Sequence, residues 1–338
     1  MMTQRTTIDA FVYLRIAACF GIVVLHSLFA TTVYYDDSLA QGQLYGAAAA
    51  EHLLMWCVPC FLMVTGALLL DPQREVPLEK LFGRYIRRIA VALVLFTFIF
   101  QLLDFLVGEN STLIPGFFRD LIYGKSWAHM WYLYLILGLY LLLPAYKAVI
   151  DRVSDRALQY LIAVLLVFTS VIPVLQHFGM PVAFYISTSL VYPLYLLLGY
   201  YIHTRKMDQA MVWLLLCGCS AALVVLTALR WSGAGHVDGF EQLFGYASPL
   251  VVGQACGVFG LLDNIKYSPA PAFWRSVDRC TFGIYLIHMI FIHWIFKWQH
   301  INPFEYGAWF FPVSAVVFFL ISYAIAWAVR KIPKVDLL

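Results

Sequence analysis

The sequence predicts an all-α protein, a polytopic bundle of about ten membrane-spanning helices. Hydrophobic residues make up 62% of the 338 residues and charged residues only 12%, whereas soluble domains carry roughly 25% charged residues. Apolar runs of about 20 residues, the length that crosses a bilayer as a helix, recur along the whole chain. Neither an internal repeat nor a low-complexity linker divides the sequence, so we predict one integral-membrane domain over residues 1–338.

Each predicted span corresponds to one of these apolar runs. The spans cover residues 9–30, 47–70, 89–107, 129–150, 157–176, 183–203, 210–230, 241–262, 281–299 and 308–330. Proline and glycine interrupt the sixth and the eighth, which makes these two the weakest predictions of a crossing.

Lys and Arg residues between the spans predict the orientation of the chain. With the N-terminus in the cytoplasm, the inner segments hold 17 of these residues and the outer segments hold four. This asymmetry follows the positive-inside rule, so we expect both termini in the cytoplasm and a bacterial-type inner membrane as the location. Because the basic residues follow the topology, the net charge of +3 gives no reason to expect a nucleic-acid partner.

The first span carries two ionisable side chains within its apolar run. Arg15 and His26 are eleven residues apart in "FVYLRIAACFGIVVLHSLFA", residues 11–30. At about 100° and 1.5 Å per residue, they project from one helix face and lie about 16 Å apart along the axis. A snorkelling arginine and an interfacial histidine would explain the pair without any function. Ionisable groups inside a membrane are costly, however, and they commonly mark functional sites.

A basic cluster precedes the third span. Arg84, Arg87 and Arg88 follow the i, i+3, i+4 spacing of one helical face. The cluster is typical of a positive-inside anchor beside anionic lipid. It is equally typical of a phosphate site, because guanidinium groups match phosphate oxygens.

Six motifs follow one another along the chain. They are Arg-x10-His at 15–26, "VPCFLMVTGALLL" at 58–70, Arg-x-x-Arg at 84–87, "AHMWYL" at 128–133, "GYYIH" at 199–203 and "TFGIYLIH" at 281–288. Together they resemble the acyltransferase-3 family of integral-membrane enzymes, which O-acylate surface polysaccharides, glycans and related acceptors. The chain has Thr65-Gly66 where the family usually has Ser-Gly, so the hydroxyl is kept.

This resemblance implies a donor and an acceptor. The donor would be a cytoplasmic acyl-CoA, for which we expect acetyl-CoA, and no metal is implied. The acceptor would be a hydroxyl of an extracytoplasmic glycan, such as an envelope polysaccharide or exopolysaccharide. Arg84, Arg87 and Arg88, together with Arg15, would hold the nucleotide phosphates. Neither the identity of the acceptor nor the oligomeric state follows from the sequence.

His26 is the candidate catalytic residue, with Arg15 and His129 as further candidates. It would act as a general base or as a transient acyl carrier, and the sequence leaves both open. Residues predicted at the same outer level could orient its ring: His129, Asp36, Asp37 and Glu51. His129 ranks first because it lies in "AHMWYL". For Thr65 and His288 we expect a structural or gating role.

Two other function classes compete with this interpretation. A transporter or flippase of a lipid-linked or anionic substrate would also use an intramembrane arginine and histidine, although internal repeats would favour it more. A membrane thiol oxidoreductase would use Cys57 and Cys60 of "WCVPC". All seven cysteines lie mostly in apolar runs, which is typical of buried residues and not of a disulfide framework.

Overall fold

The predicted all-α class is confirmed. The computed structural model describes residues 2–180, 182–183, 186–231, 243–265 and 268–332, and within these it has α-helices and no strand. The helices are α1 (Met2–Tyr35), α2 (Gln41–Leu54), α3 (Cys57–Leu69), α4 (Leu78–Lys80), α5 (Arg87–Leu106), α6 (Ile114–Tyr123), α7 (Trp131–Ile150), α8 (Asp155–Leu166), α9 (Ile172–His177), α10 (Val191–Arg205), α11 (Gln209–Trp213), α12 (Cys219–Trp231), α13 (Pro249–Asn264), α14 (Ala272–Ile292) and α15 (Phe310–Arg330).

Eight helical stretches of the described chain are long and apolar enough to cross a membrane. They are Asp9–Ser38, Gln41–Leu69, Leu78–Leu106, Ala128–Ile150, Asp155–Gln176, Gln209–Arg230, Ala272–Trp298 and Phe310–Arg330. Three of them join α-helices through π-helical turns, at Leu81–Ile86, Val167–Val171 and Leu214–Gly218, and a fourth ends in the π-helical turn His293–Trp298. The protein is therefore a multi-pass membrane protein, as predicted.

The predicted count of ten spans is not confirmed. The sixth and eighth correspond to α10 and α13, which have 15 and 16 residues. At 1.5 Å per residue, each helix covers only about 22–24 Å of a hydrocarbon core of about 30 Å. Helix α13 begins later than the eighth predicted span. Ser248 caps its N-terminus, and Pro249 occupies the first helical position. Residues 184 and 185 of the sixth predicted span, and residues 241 and 242 of the eighth, lie outside the described residues.

The chain packs into two compact units. The first comprises Met1–Asp71 and Val153–Ile325, and the second comprises Pro72–Arg152 and Ala326–Leu338. The single domain over residues 1–338 stays a prediction.

In the first unit, glycines allow α3 and α10 to pack closely. A Cβ added to Gly66 would collide with the carbonyl oxygen of Leu196, and one added to Gly199 would collide with that of Met63. Both glycines belong to motifs noted in the sequence. Their role is thus to let two helix backbones approach each other, as small residues commonly do in membrane bundles.

In the second unit, aromatic rings pack around the start of α7. Phe100 of α5 stacks on Trp127 with 4.2 Å between ring centroids and an interplanar angle of 6°. The Nε1 atom of Trp127 donates to Oδ2 of Asp104 over 2.9 Å. These contacts hold the end of α5 against the segment that carries His129.

Candidate active site

The candidate site lies between α1 and α14 of the first unit. Side chains of α1 contact α14 and the turn after it at successive levels. Arg15 and His26 contact the side chains of Asp278 and His288, whereas Cys19 and Tyr35 donate to the carbonyl oxygens of Thr281 and Phe296. The residue numbers rise together, so the two helices run in the same direction. Arg15 and His26 thus face one partner helix, which fits their predicted common face.

Arg15 and Asp278 form an ion pair with two contacts. Nε of the guanidinium lies 2.6 Å from Oδ1 and Nη2 lies 2.7 Å from Oδ2. The side chains are 22% and 11% exposed. The carboxylate therefore provides a counter-charge for an arginine within a span, which an apolar environment requires. A guanidinium has five N–H groups, so the two bonds to Asp278 leave others directed elsewhere.

His26 and His288 form the second polar contact between the helices. Nδ1 of His26 lies 2.8 Å from Nε2 of His288, and the rings are nearly parallel, with an interplanar angle of 7°. His288 is fully buried, and its Nδ1 lies 3.1 Å from the carbonyl oxygen of Ile284. His26 is partly exposed. The buried His288 is thus held by a carbonyl group of its own helix, and it in turn holds the partly exposed His26.

For two neutral rings, these contacts favour one arrangement of the protons. A carbonyl oxygen can only accept, so Nδ1 of His288 carries the hydrogen and its Nε2 is an acceptor. Nδ1 of His26 then donates to that Nε2, which leaves the lone pair of His26 on its own Nε2. The contacts with His288 thus orient His26 and make Nε2 its basic nitrogen.

Residues 8–331, nearly the whole chain, match the family described as an acyltransferase domain, acyltransferase-3. The chain belongs to the acyltransferase-3 family. No curated protein and no solved structure matched the chain.

In this acyltransferase-3 protein, three acidic residues are candidates for orienting His26. Two lie in the turn after α1, and the third lies on α2. Asp36 and Asp37 are exposed in the turn after α1. Glu51 is half-buried on α2 and interacts with the side chain of Thr32. Their proposed contact with His26 stays a prediction, whereas the structure pairs His26 with His288.

The hydroxyl of Thr65 has a local role. It donates to the carbonyl oxygen of Phe61, one turn earlier in α3, over 2.9 Å. In a membrane helix this bond satisfies a polar side chain within its own helix. The structural or gating role of Thr65 stays a prediction.

The remaining site candidates belong to the second unit of this acyltransferase-3 protein. His129 is 1% exposed, and its ring centroid lies 5.3 Å from that of Phe100. Arg84 lies in the π-helical turn Leu81–Ile86, whereas Arg87 and Arg88 begin α5. Arg84 and Arg87 are exposed and Arg88 is half-buried. A π-helical turn changes the angular spacing between Arg84 and the two arginines that begin α5, so the common face of the three stays a prediction.

Neither the ion pair of Asp278 nor the contact of His288 with His26 was predicted from the sequence. Asp278 precedes His288 by ten residues on α14, much as Arg15 precedes His26 by eleven on α1. This near-equal spacing of two ionisable pairs was the available signal. The spacing becomes informative only once the first and ninth predicted spans are known to be neighbours.

The cysteine pair of "WCVPC" lies inside the first unit. Cys57 is 1% exposed and Cys60 0% exposed, and both are free thiols. The Sγ atom of Cys60 lies 3.7 Å from the carbonyl oxygen of Ala255. Burial of this kind is typical of packing and not of thiol exchange, which requires access.

Proposed function

We propose that this protein is an O-acyltransferase that moves an acyl group, in our expectation acetyl, from cytoplasmic acyl-CoA to a hydroxyl of an extracytoplasmic glycan. His26 acts as the general base. The observation that carries the proposal is the His26–His288–Ile284 hydrogen-bond series, which directs the lone pair of His26 to Nε2. Membership of the acyltransferase-3 family supports the reaction class.

The reaction needs one proton acceptor that later becomes a donor. The acceptor hydroxyl loses its proton to Nε2 of His26 while its oxygen bonds to the thioester carbon. The tetrahedral intermediate then collapses, the carbon–sulfur bond breaks, and the CoA sulfur takes the proton back from Nε2. The products are an O-acyl ester and CoA with a free thiol, so atoms and charge balance. A partly exposed ring on a buried support suits this role.

Arginines would hold the donor. Arg15 keeps N–H groups beyond the two that Asp278 engages, and these would bind the donor about 16 Å along α1 from His26. The helical rise of 1.5 Å per residue gives this separation. It is on the order of the length of a pantetheine arm. Arg84, Arg87 and Arg88 would bind the nucleotide phosphates.

The acceptor side follows from orientation. With both termini in the cytoplasm of a bacterial-type inner membrane, α1 carries Arg15 towards the cytoplasm and His26 towards the outside. An extracytoplasmic polysaccharide or related glycan would then meet the acyl group at His26. The parallel direction of α1 and α14 requires an odd number of crossings between them, and this holds whether α10 and α13 both cross or neither does.

A donor assay tests the proposal. Purified protein in lipid nanodiscs with acetyl-CoA labelled in the acetyl group should release CoA, faster when a glycan acceptor is added. His26→Ala should abolish this release, whereas His300→Asn, a change at an exposed histidine of positive φ that asparagine tolerates, should leave it unchanged.

Three results would contradict the proposal. Full turnover by His26→Ala would remove the base role. Rapid-quench mass spectrometry that finds an acetyl group on His26 would replace the base with an acyl carrier. Uptake of an intact anionic substrate into vesicles without release of CoA would favour the transporter instead.

A further inference from the structure

A cavity with a mixed apolar and polar lining lies in the first unit, apart from the His26–His288 pair. It has a volume of about 400 Å³ and lies among the end of the α8–α9 helix, the start of α10 and the turn before α13. Its polar lining side chains are Ser170, Gln176, Thr188, Ser189, Tyr192 and Tyr246. We propose that this cavity binds an uncharged sugar unit of the acceptor.

The chemistry of the lining selects the ligand class. Besides Ser170, whose side chain is fully buried, four hydroxyl groups and one amide can each donate and accept hydrogen bonds, as the hydroxyls of a sugar do. No carboxylate, ammonium or guanidinium is among the described lining residues. A charged ligand would lose hydration there without gaining a counter-charge, which is costly. The cavity therefore favours a neutral polyhydroxylated ligand over a uronate or a phosphate.

The aromatic residues of the cavity add a second preference. Tyr192 and Tyr246 have ring centroids 6.4 Å apart at an interplanar angle of 57°. Such rings present apolar faces next to hydroxyl groups, which matches the mixed apolar and polar faces of a sugar ring. The volume is at the lower end of the roughly 300–1,000 Å³ of small-molecule sites, which suits one or two sugar rings.

Local irregularities of the backbone build this cavity. Ser170 lies in the π-helical turn Val167–Val171, and its side chain is fully buried. π-helical turns are rare and often accompany functional sites. The hydroxyl of Tyr195 donates to the carbonyl oxygen of Tyr246 over 2.7 Å and so fixes the turn before α13 to α10. The walls of the cavity are thus held before any ligand binds.

Helix α2 connects α1 with the turn that lines the cavity. Leu54 of α2 packs over Gly21 of α1, and Ala47 packs against Leu28. At about 100° per residue, His52 projects from the opposite face of α2, away from these contacts.

A stacked ring pair completes this connection. The ring of His52 lies on Phe244, with 3.8 Å between centroids and an interplanar angle of 8°. Gly245, Tyr246 and Ala247 follow directly and line the cavity. The inference rests on the proposed function, since a sugar bound here would anchor the glycan while a neighbouring unit reaches His26.

Ligand binding without any acyl donor tests the site. Purified protein is mixed with a glucose disaccharide, an N-acetylglucosamine disaccharide and a galacturonic acid disaccharide, and saturation-transfer NMR reports binding. We expect at least one neutral disaccharide to bind and the uronate not to bind. Ser189→Trp should fill the cavity and weaken neutral binding by at least about tenfold. Leu190→Trp is the matched control, because Leu190 is 39% exposed, lies in the same turn and does not line the cavity.

The outcomes separate this site from the proposed reaction. Undiminished binding by Ser189→Trp, equal loss in Leu190→Trp, preference for the uronate, or no binding of either neutral disaccharide would overturn the sugar site. None of these results affects release of CoA from acetyl-CoA without acceptor, which reports the proposed transferase. If wild-type protein releases no CoA but binds neutral disaccharide, the sugar site stands and the proposed reaction fails.

Discussion

Arg15 and Asp278 are 263 residues apart in the chain, yet the guanidinium and the carboxylate meet in two contacts of 2.6 and 2.7 Å between parallel helices. The same two helices bring His26 onto His288 about 15 Å further along. The ionisable residues of the first span are therefore matched one by one on α14. This relationship makes the function of each residue separable by mutation.

Asp278→Ala should destabilise the protein, because it leaves Arg15 charged and without its counter-charge. The pair is partly exposed, so the loss should be about 1–3 kcal/mol, between the values for surface and buried pairs. Thermal unfolding in detergent measures it. Asp155→Ala is the control, since it breaks an ion pair with Arg205 in which both side chains are more than half exposed. Equal shifts in the two variants would contradict the prediction.

The exchanged double variant Arg15→Asp with Asp278→Arg should regain stability but not donor affinity. The ion pair is restored with its charges reversed, whereas the guanidinium moves to α14. Acetyl-CoA binding and thermal unfolding measured on one preparation separate the two effects. Restored affinity would mean that only the presence of the pair matters.

His288→Phe should lower kcat and leave the KM for acetyl-CoA nearly unchanged. Without its acceptor, the ring of His26 loses the bond that sets its tautomer, and loss of an orienting group costs up to about 10⁴-fold in a comparable triad. His288→Gln is the matched variant, because its amide oxygen can accept from Nδ1 of His26. It should recover part of the rate. A rate in His288→Phe equal to that of the wild type would contradict a positioning role.

Arg84→Ala and Arg87→Ala should each weaken acetyl-CoA binding, and the wild-type affinity should fall as salt rises, because phosphate contacts are screened. Both side chains are exposed, so little stability should be lost. Arg152→Ala is the control at another exposed arginine of the second unit. Equilibrium binding of labelled acetyl-CoA in nanodiscs gives the affinities. If both variants bind acetyl-CoA as tightly as the control, Arg84 and Arg87 act only as positive-inside anchors beside anionic lipid.

Gly66→Ala and Gly199→Ala should each destabilise the first unit by about 1–3 kcal/mol, the usual cost of overpacking. The added methyl groups meet the backbone of the facing helix, which has no rotamer to change. Gly46→Ala on α2 is the control, because nothing lies within 4 Å of its added Cβ. That change should be neutral or stabilising, since alanine favours a helix. Thermal unfolding compares them, and similar midpoints in all three would argue against close packing.

Much of the fold could be predicted because it depends on local patterns. The apolar runs located all eight long spans, and the periodicity of a helix placed Arg15 and His26 on one face. The proline and glycine of the sixth and eighth predicted spans correctly identified the two weakest, α10 and α13.

The partners of the site could not be predicted, because helix pairing depends on packing between distant segments. Asp278 resembles an ordinary residue at a helix end, and His288 an ordinary buried histidine. The π-helical turn at Leu81–Ile86 also escaped prediction, since no residue type specifies it. It alters the spacing of Arg84 relative to Arg88.

The distance in sequence between α1 and α14 has a consequence for biosynthesis. At about 5–20 residues per second, a ribosome that has made Arg15 needs about 13–50 s more to reach Asp278. During that interval the first span lies in the membrane with an arginine and a histidine whose partners do not yet exist. A chain interrupted before residue 278 would lack the carboxylate that pairs with Arg15, so the guanidinium gains this counter-charge only when α14 is made.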